Sequence, residues 1–142
     1  MSKLEQVREG ILGHPLHRAC DLELVHSTDG RAEIRFAVND FAVNPAGALH
    51  GGILYAMMDV ACFFAVISQL QADQHPVSVE VHSSVLRAAL QGETVVIRSW
   101  VDRLGRTLAA MRCDALVVNA DGSERLIGTG NVTKSILTGR GR

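Results

Sequence analysis

Aromatic side chains are scarce in this sequence: one Trp, one Tyr and four Phe in 142 residues. Positive charge is not in excess either, since 14 Lys and Arg meet 15 Asp and Glu. A chain with no basic field and few stacking rings does not fit a nucleic-acid binder. Cysteine is sparse and odd in number. Cys20, Cys62 and Cys113 lie far apart, which excludes a disulfide framework and reads as free thiols in a reducing compartment. The opening MSKLEQVREG is polar and charged, with no signal-peptide core, so a cytoplasmic location is expected. Ligand-spaced His and Cys are also missing. His14 and His17 stand three apart, but no further pattern completes a site and they read as a surface loop. No metal and no separate cofactor is expected.

What is present centres on residues 44–70, NPAGALHGGILYAMMDVACFFAVISQL. Asn44, Pro45 and Gly47 make a loop that leads through His50-Gly51-Gly52. From Ile53 to Leu70 the chain is rich in Ala, Met, Leu, Ile and Phe and has neither Pro nor Gly. This predicts a central helix over about 51–71, apolar all round and therefore buried on every side. Its length approaches a membrane span, but Asp59, Gln69 and the strand-like segments around it speak against one. An ionised carboxylate inside a buried helix is costly. Asp59 is either a structural acid paired with a cation or a working one.

The flanking segments read as strands. A short helix over 2–9, capped by Ser2 and stopped by Gly10, comes first, and 11–18 reads as irregular. A strand over 20–26 follows, then the hairpin turn Thr28-Asp29-Gly30. Ala32, Ile34, Phe36 and Val38 then alternate with polar residues, as in a half-buried antiparallel strand. Beyond the helix, strands are expected over 77–82, 93–103, 108–118 and 125–136, the last with Gly128 and Gly130 where something approaches closely. Leu104-Gly105-Arg106-Thr107 and Asn119–Gly122 are connections, and the tail Gly139–Arg142 reads as frayed. The expected fold is α+β: a single domain over 1–142, one antiparallel sheet wrapped around the helix. One small sheet cannot cover a helix that is apolar all round, so at least a dimer is expected.

Gly51 and Gly52 stand where the helix begins. The first turn leaves N–H groups unpaired, and glycine lets an oxygen come close to them. That is the arrangement of a carbonyl-polarising site, or simply of a tightly packed helix start. Eight residues separate Gly51 from Asp59, roughly 12 Å along a helix. One helix cannot bring both to one carbonyl, whereas two helices related by a two-fold axis can.

The motif Asn44-Pro-Ala-Gly-Ala-Leu-His50-Gly51-Gly52 with Asp59 eight residues on resembles the hotdog-fold acyl-CoA thioesterases of the phenylacetic acid degradation (PaaI-like) type. The resemblance spans nearly the whole chain. It implies hydrolysis of an acyl-CoA to free acid and coenzyme A, the latter entering only as part of substrate and product. It implies a homodimer with active sites at the interface, often paired again into a tetramer. Gly51 N–H would polarise the carbonyl, and Asp59 of the facing subunit would be general base or nucleophile. Asn44 and His50 would orient the thioester and water, and Ser78 would help hold the water. For coenzyme A the resemblance points to Gly52 and to the turn Gly105-Arg106-Thr107. Arg103, Lys134 and Arg87 are further cations there, with Arg106 first among them. Tyr55 and Met58 are candidates for the acyl pocket. The competing reading is a non-catalytic acyl-CoA sensor of the same fold, which would have no need of Asp59.

Overall fold

A computed structural model describes residues 1–139. Of the tail expected to fray, residues 140–142 lie outside the described residues. The order is α1 (Lys3–Leu12), α2 (Pro15–Ala19), β1 (Glu23–Thr28), β2 (Arg31–Ala37), α3 (Gly51–Ile67), β3 (Gln74–Val85), β4 (Thr94–Leu104), β5 (Leu108–Val118) and β6 (Glu124–Thr138). The six strands form one antiparallel sheet in the order β1-β2-β4-β5-β6-β3. Helix α3 lies across its inner face. No helix among the described residues is long and apolar enough to cross a membrane.

The alternation read from the sequence sets this inner face. Ile34, Phe36, Val95, Ile97, Met111, Ala115 and Val117 point inward and are buried against Leu54, Met57, Ala61, Phe64 and Ala65 of α3. Polar contacts fix the helix along the sheet. Ser99 Oγ, on the inner face of β4, donates to Ala61 O at 2.7 Å. In the β1–β2 hairpin, Asp29 and Gly30 both have positive φ, as a two-residue hairpin turn of this hand needs. Ser27 Oγ donates to Phe64 O at 2.6 Å, and Gly30 N–H to Ser68 Oγ at 2.7 Å, so the hairpin seats on the last turns of α3.

Three expected helix bounds are corrected. Helix α1 runs through Gly10 to Leu12 and is capped by Gly13, because one glycine weakens a helix without stopping it. The 11–18 segment is not irregular: Pro15 opens α2 at a position where its missing N–H costs nothing, with His14 as the cap. Finally, α3 ends at Ile67 rather than near 71. As expected of one small sheet, a single chain does not cover the helix on every side. Gly52, Tyr55, Ala56, Asp59 and Phe63 form a stripe that one chain leaves partly open.

Candidate active site

The entry to α3 is built from backbone. Asn44 Oδ1 accepts from the N–H groups of Ala46 and Ala48 at 2.9 and 3.0 Å. Leu49 N–H donates to Ala89 O, and His50 N–H to Ala42 O, clamping the loop to its neighbours. With its oxygen engaged, Asn44 has only its Nδ2 amide group left to offer. His50 caps α3, its Nδ1 accepting from Gly52 N–H at 2.9 Å. A neutral ring that accepts at Nδ1 carries its proton on Nε2. Gly52 N–H is therefore engaged. Gly51 N–H has no hydrogen-bond partner among the described residues. Gly51 lines a hollow of about 450 Å³ together with Asn44, Leu54, Tyr55, Val85, Leu86 and Arg87, among others. Tyr55 stands close over Gly51, and a Cβ added there would lie 3.4 Å from its hydroxyl.

Asp59 sits elsewhere. It lines a separate hollow of about 370 Å³ with Ala56, Val60 and Phe63 of α3, Pro76 and Ser78 of β3, Lys134 of β6, and Ile11, His14, Leu16 and His17 from the N-terminal segment. In one chain its side chain is 36% exposed: it stands on the stripe of α3 that the sheet leaves open. Asp59 Oδ1 accepts from Ser78 Oγ at 2.7 Å and from Lys134 Nζ at 2.9 Å, and Lys134 Nζ also donates to Ser78 Oγ at 2.8 Å. Strand register brings the last two together, since Ser78 pairs directly with Lys134. Ser78 has one proton and directs it at Asp59, so it anchors the carboxylate.

The remaining predicted residues are scattered. Lys134 was expected among the cations that meet coenzyme A phosphates. Its side chain is 3% exposed and bonded to Asp59, which removes it from that set. Met58 was expected at the acyl pocket but is fully buried, packed onto Gly128 and Gly130 of β6. The close approach read at those two glycines is made by Met58 together with Ser84 O and Cys113 Sγ. Arg103, Gly105, Arg106 and Thr107 lie at the β4–β5 turn, where Thr107 O accepts from Ile136 N–H. That joins the turn to the end of β6 beyond Lys134. Arg87, by contrast, lines the Gly51 hollow.

His14 and His17 are not a bystander loop, because both line the Asp59 hollow. His14 Nδ1 accepts from Leu16 N–H, and His17 Nδ1 lies 2.6 Å from Ile11 O and so carries the donating proton. Nothing local in the sequence places them against Asp59. Among the described residues no three His, Cys, Asp or Glu side chains gather where they could hold a metal ion. The three cysteines are free and buried. A hydrogen bond with the Cys113 thiol, then burial, pushes the Cys62 thiol far up, which disqualifies it as a nucleophile.

The two hollows share no lining residue. They lie towards opposite ends of β3: Pro76 and Ser78 border the Asp59 hollow, Val85 and the residues after it the Gly51 hollow. Seven residues of strand separate Ser78 from Val85, roughly 23 Å.

Residues 46–124 match the family model of the Thioesterase superfamily. A protein of Deinococcus radiodurans, assigned only provisionally as an esterase, is 34% identical over 66% of this chain. The match spans 61% of that relative's length. Human acyl-coenzyme A thioesterase 13 is 30% identical over 115 residues, 81% of this chain and 79% of that protein. Among solved structures, a thioesterase family protein from Silicibacter pomeroyi superimposes with a TM-score of 0.87 at 27% identity, covering 97% of this chain and all of the other. With its hotdog arrangement of sheet and helix, the chain belongs to the Thioesterase superfamily.

Proposed function

We propose that the protein is an acyl-CoA thioesterase whose active site forms between two copies of the chain. One observation carries this reading. A free backbone donor, Gly51 N–H, and an anchored carboxylate, Asp59, occupy separate hollows towards opposite ends of β3. Strand β3 is one of the two edges of the sheet. It is long and exposes Val77, Val79, Val81 and Val85 between polar residues, an unpaired edge of the kind that pairs with another chain. Antiparallel pairing of β3 with its own copy about a two-fold axis sets the start of one strand beside the end of the other. Asp59 of one chain then faces Gly51 of its partner, and the open stripe of α3 is covered. Two equivalent sites result, and a dimer of dimers is compatible with this arrangement.

In the reaction, the thioester carbonyl oxygen accepts from Gly51 N–H, reinforced by the positive end of the α3 dipole. The Nδ2 group of Asn44 and the Nε2–H of His50 are the donors left to orient substrate and water. Asp59 Oδ2 takes a proton from water as the water oxygen bonds to the carbonyl carbon. The oxyanion collapses, the C–S bond breaks, and the leaving thiolate takes the proton that Asp59 accepted, which yields the thiol and regenerates the carboxylate. Free acid and coenzyme A are the products, and the steps require neither metal nor cofactor. Arg87 beside the Gly51 hollow, and Arg103 and Arg106 at the β4–β5 turn with Gly105 and Thr107, are the cations and backbone groups available to the anionic cofactor half. The free, buried cysteines support a cytoplasmic setting.

The test is a panel of aromatic, medium-chain and hydroxylated acyl-CoAs with a thiol indicator. Catalytic thiol release supports the enzyme. Saturable binding without release would replace it with a sensor.

A further inference from the structure

The reaction just proposed has no use for Lys134, yet the molecule buries it. Taking an ammonium out of water is costly unless its donors are satisfied. Lys134 lies on the inner face of β6 with Gly130, Val132 and Ile136, all buried. There it donates to Asp59 Oδ1 and Ser78 Oγ, and it lies 5.7 Å from the centre of the Phe63 ring. The pair is lopsided. Lys134 is 3% exposed while Asp59 is 36% exposed, so the cation belongs to the interior and the carboxylate to the hollow. The bonding is lopsided too. Ser78 and Lys134 both fall on Oδ1, and Oδ2 has no hydrogen-bond partner among the described residues.

We propose that Lys134 is a positioning residue for Asp59. Resting on the reading of Asp59 as the base, it pins Oδ1, fixes the plane of the carboxylate, and leaves Oδ2 as the single oxygen turned to the substrate. Ser78 completes the clamp, since its proton goes to Oδ1 and its own oxygen accepts from Lys134. A carboxylate on a helix face otherwise rotates about two side-chain torsions, and misplacing a reacting group by an ångström can cost about 10²-fold in rate. A pair kept only for stability predicts something different. Removing one partner of such a pair then lowers the stability of the fold and is silent in kinetics.

Three variants test this against wild type with an acyl-CoA that the panel shows to be hydrolysed. Lys134→Met keeps length and loses the charge. Its kcat should fall about 10²-fold with KM within a few-fold, while thermal stability holds. The fold tolerates the change because Asp59 can still be hydrated from the hollow. Lys134→Ala opens a space that borders the same hollow. Added propylammonium should restore kcat saturably, and 1-propanol should not. In the pair Asp59→Asn and Asp59→Asn/Lys134→Met, the second change should cost nothing further, because the two residues act as a unit. Wild-type kcat in Lys134→Met overturns the proposal, as does equal rescue by propanol and propylammonium. Should Asp59→Asn retain full activity, the assignment of Asp59 itself fails. An inactive Asp59→Asn beside a fully active Lys134→Met removes only the role of Lys134.

Discussion

The two half-sites are made of different materials. At the Gly51 end almost everything is main chain: a folded loop, a capped helix start and one uncommitted N–H. Its side chains, Asn44 and His50, spend part of their bonding on holding that backbone. At the Asp59 end the working groups are side chains from three elements, α3, β3 and β6, and a wall from α1 and α2. A donor made of backbone is rigid and placed by neighbours in sequence. An acid held by side chains is placed by sheet register, and so by residues as far apart as 59, 78 and 134.

This contrast can be broken from either end. The largest effect is expected at the acid. Asp59→Asn keeps the size of the side chain and removes the base, so turnover should fall by ~10²–10⁴ with folding intact by circular dichroism. Near-normal turnover in a well-folded variant would sink the assignment. At the backbone end, Gly51→Pro is the matching experiment. Proline suits the first position of a helix, and His50 already has the extended backbone that precedes proline. The variant should fold, lose only the N–H donor, and lose ~10²–10³ in kcat. Gly51→Ala, whose Cβ meets Tyr55 at an ordinary contact distance, should lose far less. Equal losses in the two would show that space at Gly51 matters and the donor does not.

Mixing the two dead variants sharpens the comparison. A heterodimer of Asp59→Asn with Gly51→Pro contains one site with both defects and one with neither. Co-refolding should recover up to half of wild-type activity per heterodimer. Heterodimers confirmed by native mass spectrometry and still inactive would place the whole site in one chain. The smallest effect, none, is expected from dialysis against EDTA. Activity lost there and restored by zinc would contradict the proposed steps.

The Gly51 end was largely legible in the sequence because it is local: loop formers, a capping histidine and paired glycines run consecutively from Asn44 to Gly52. The strands were legible for a similar reason, since alternation at period two is a short-range signal. Asp59 stood out as a lone charge, but its surroundings did not. The alternation of Gly130, Val132, Lys134 and Ile136 puts a lysine on the core face of β6, and that signal was available. Charge alone does not separate Lys134 from the surface cations suited to coenzyme A; its place on the core face, bonded to Asp59, does. His14 and His17 carried no such signal. Only the folding of the α1–α2 segment onto α3 sets them beside the acid.

Met58 precedes Asp59 by one residue, and its thioether rests in a notch that Gly128 and Gly130 leave in β6. A Cβ built on Gly130 would come within 3.0 Å of Met58 Sδ and 2.8 Å of Cys113 Sγ. The notch works like a detent on a sliding bar: it indexes the helix along the sheet, and with it the height at which the acid meets a partner. A methyl group added more than seventy positions down the chain would be felt as an ill-seated base, in a residue it never touches.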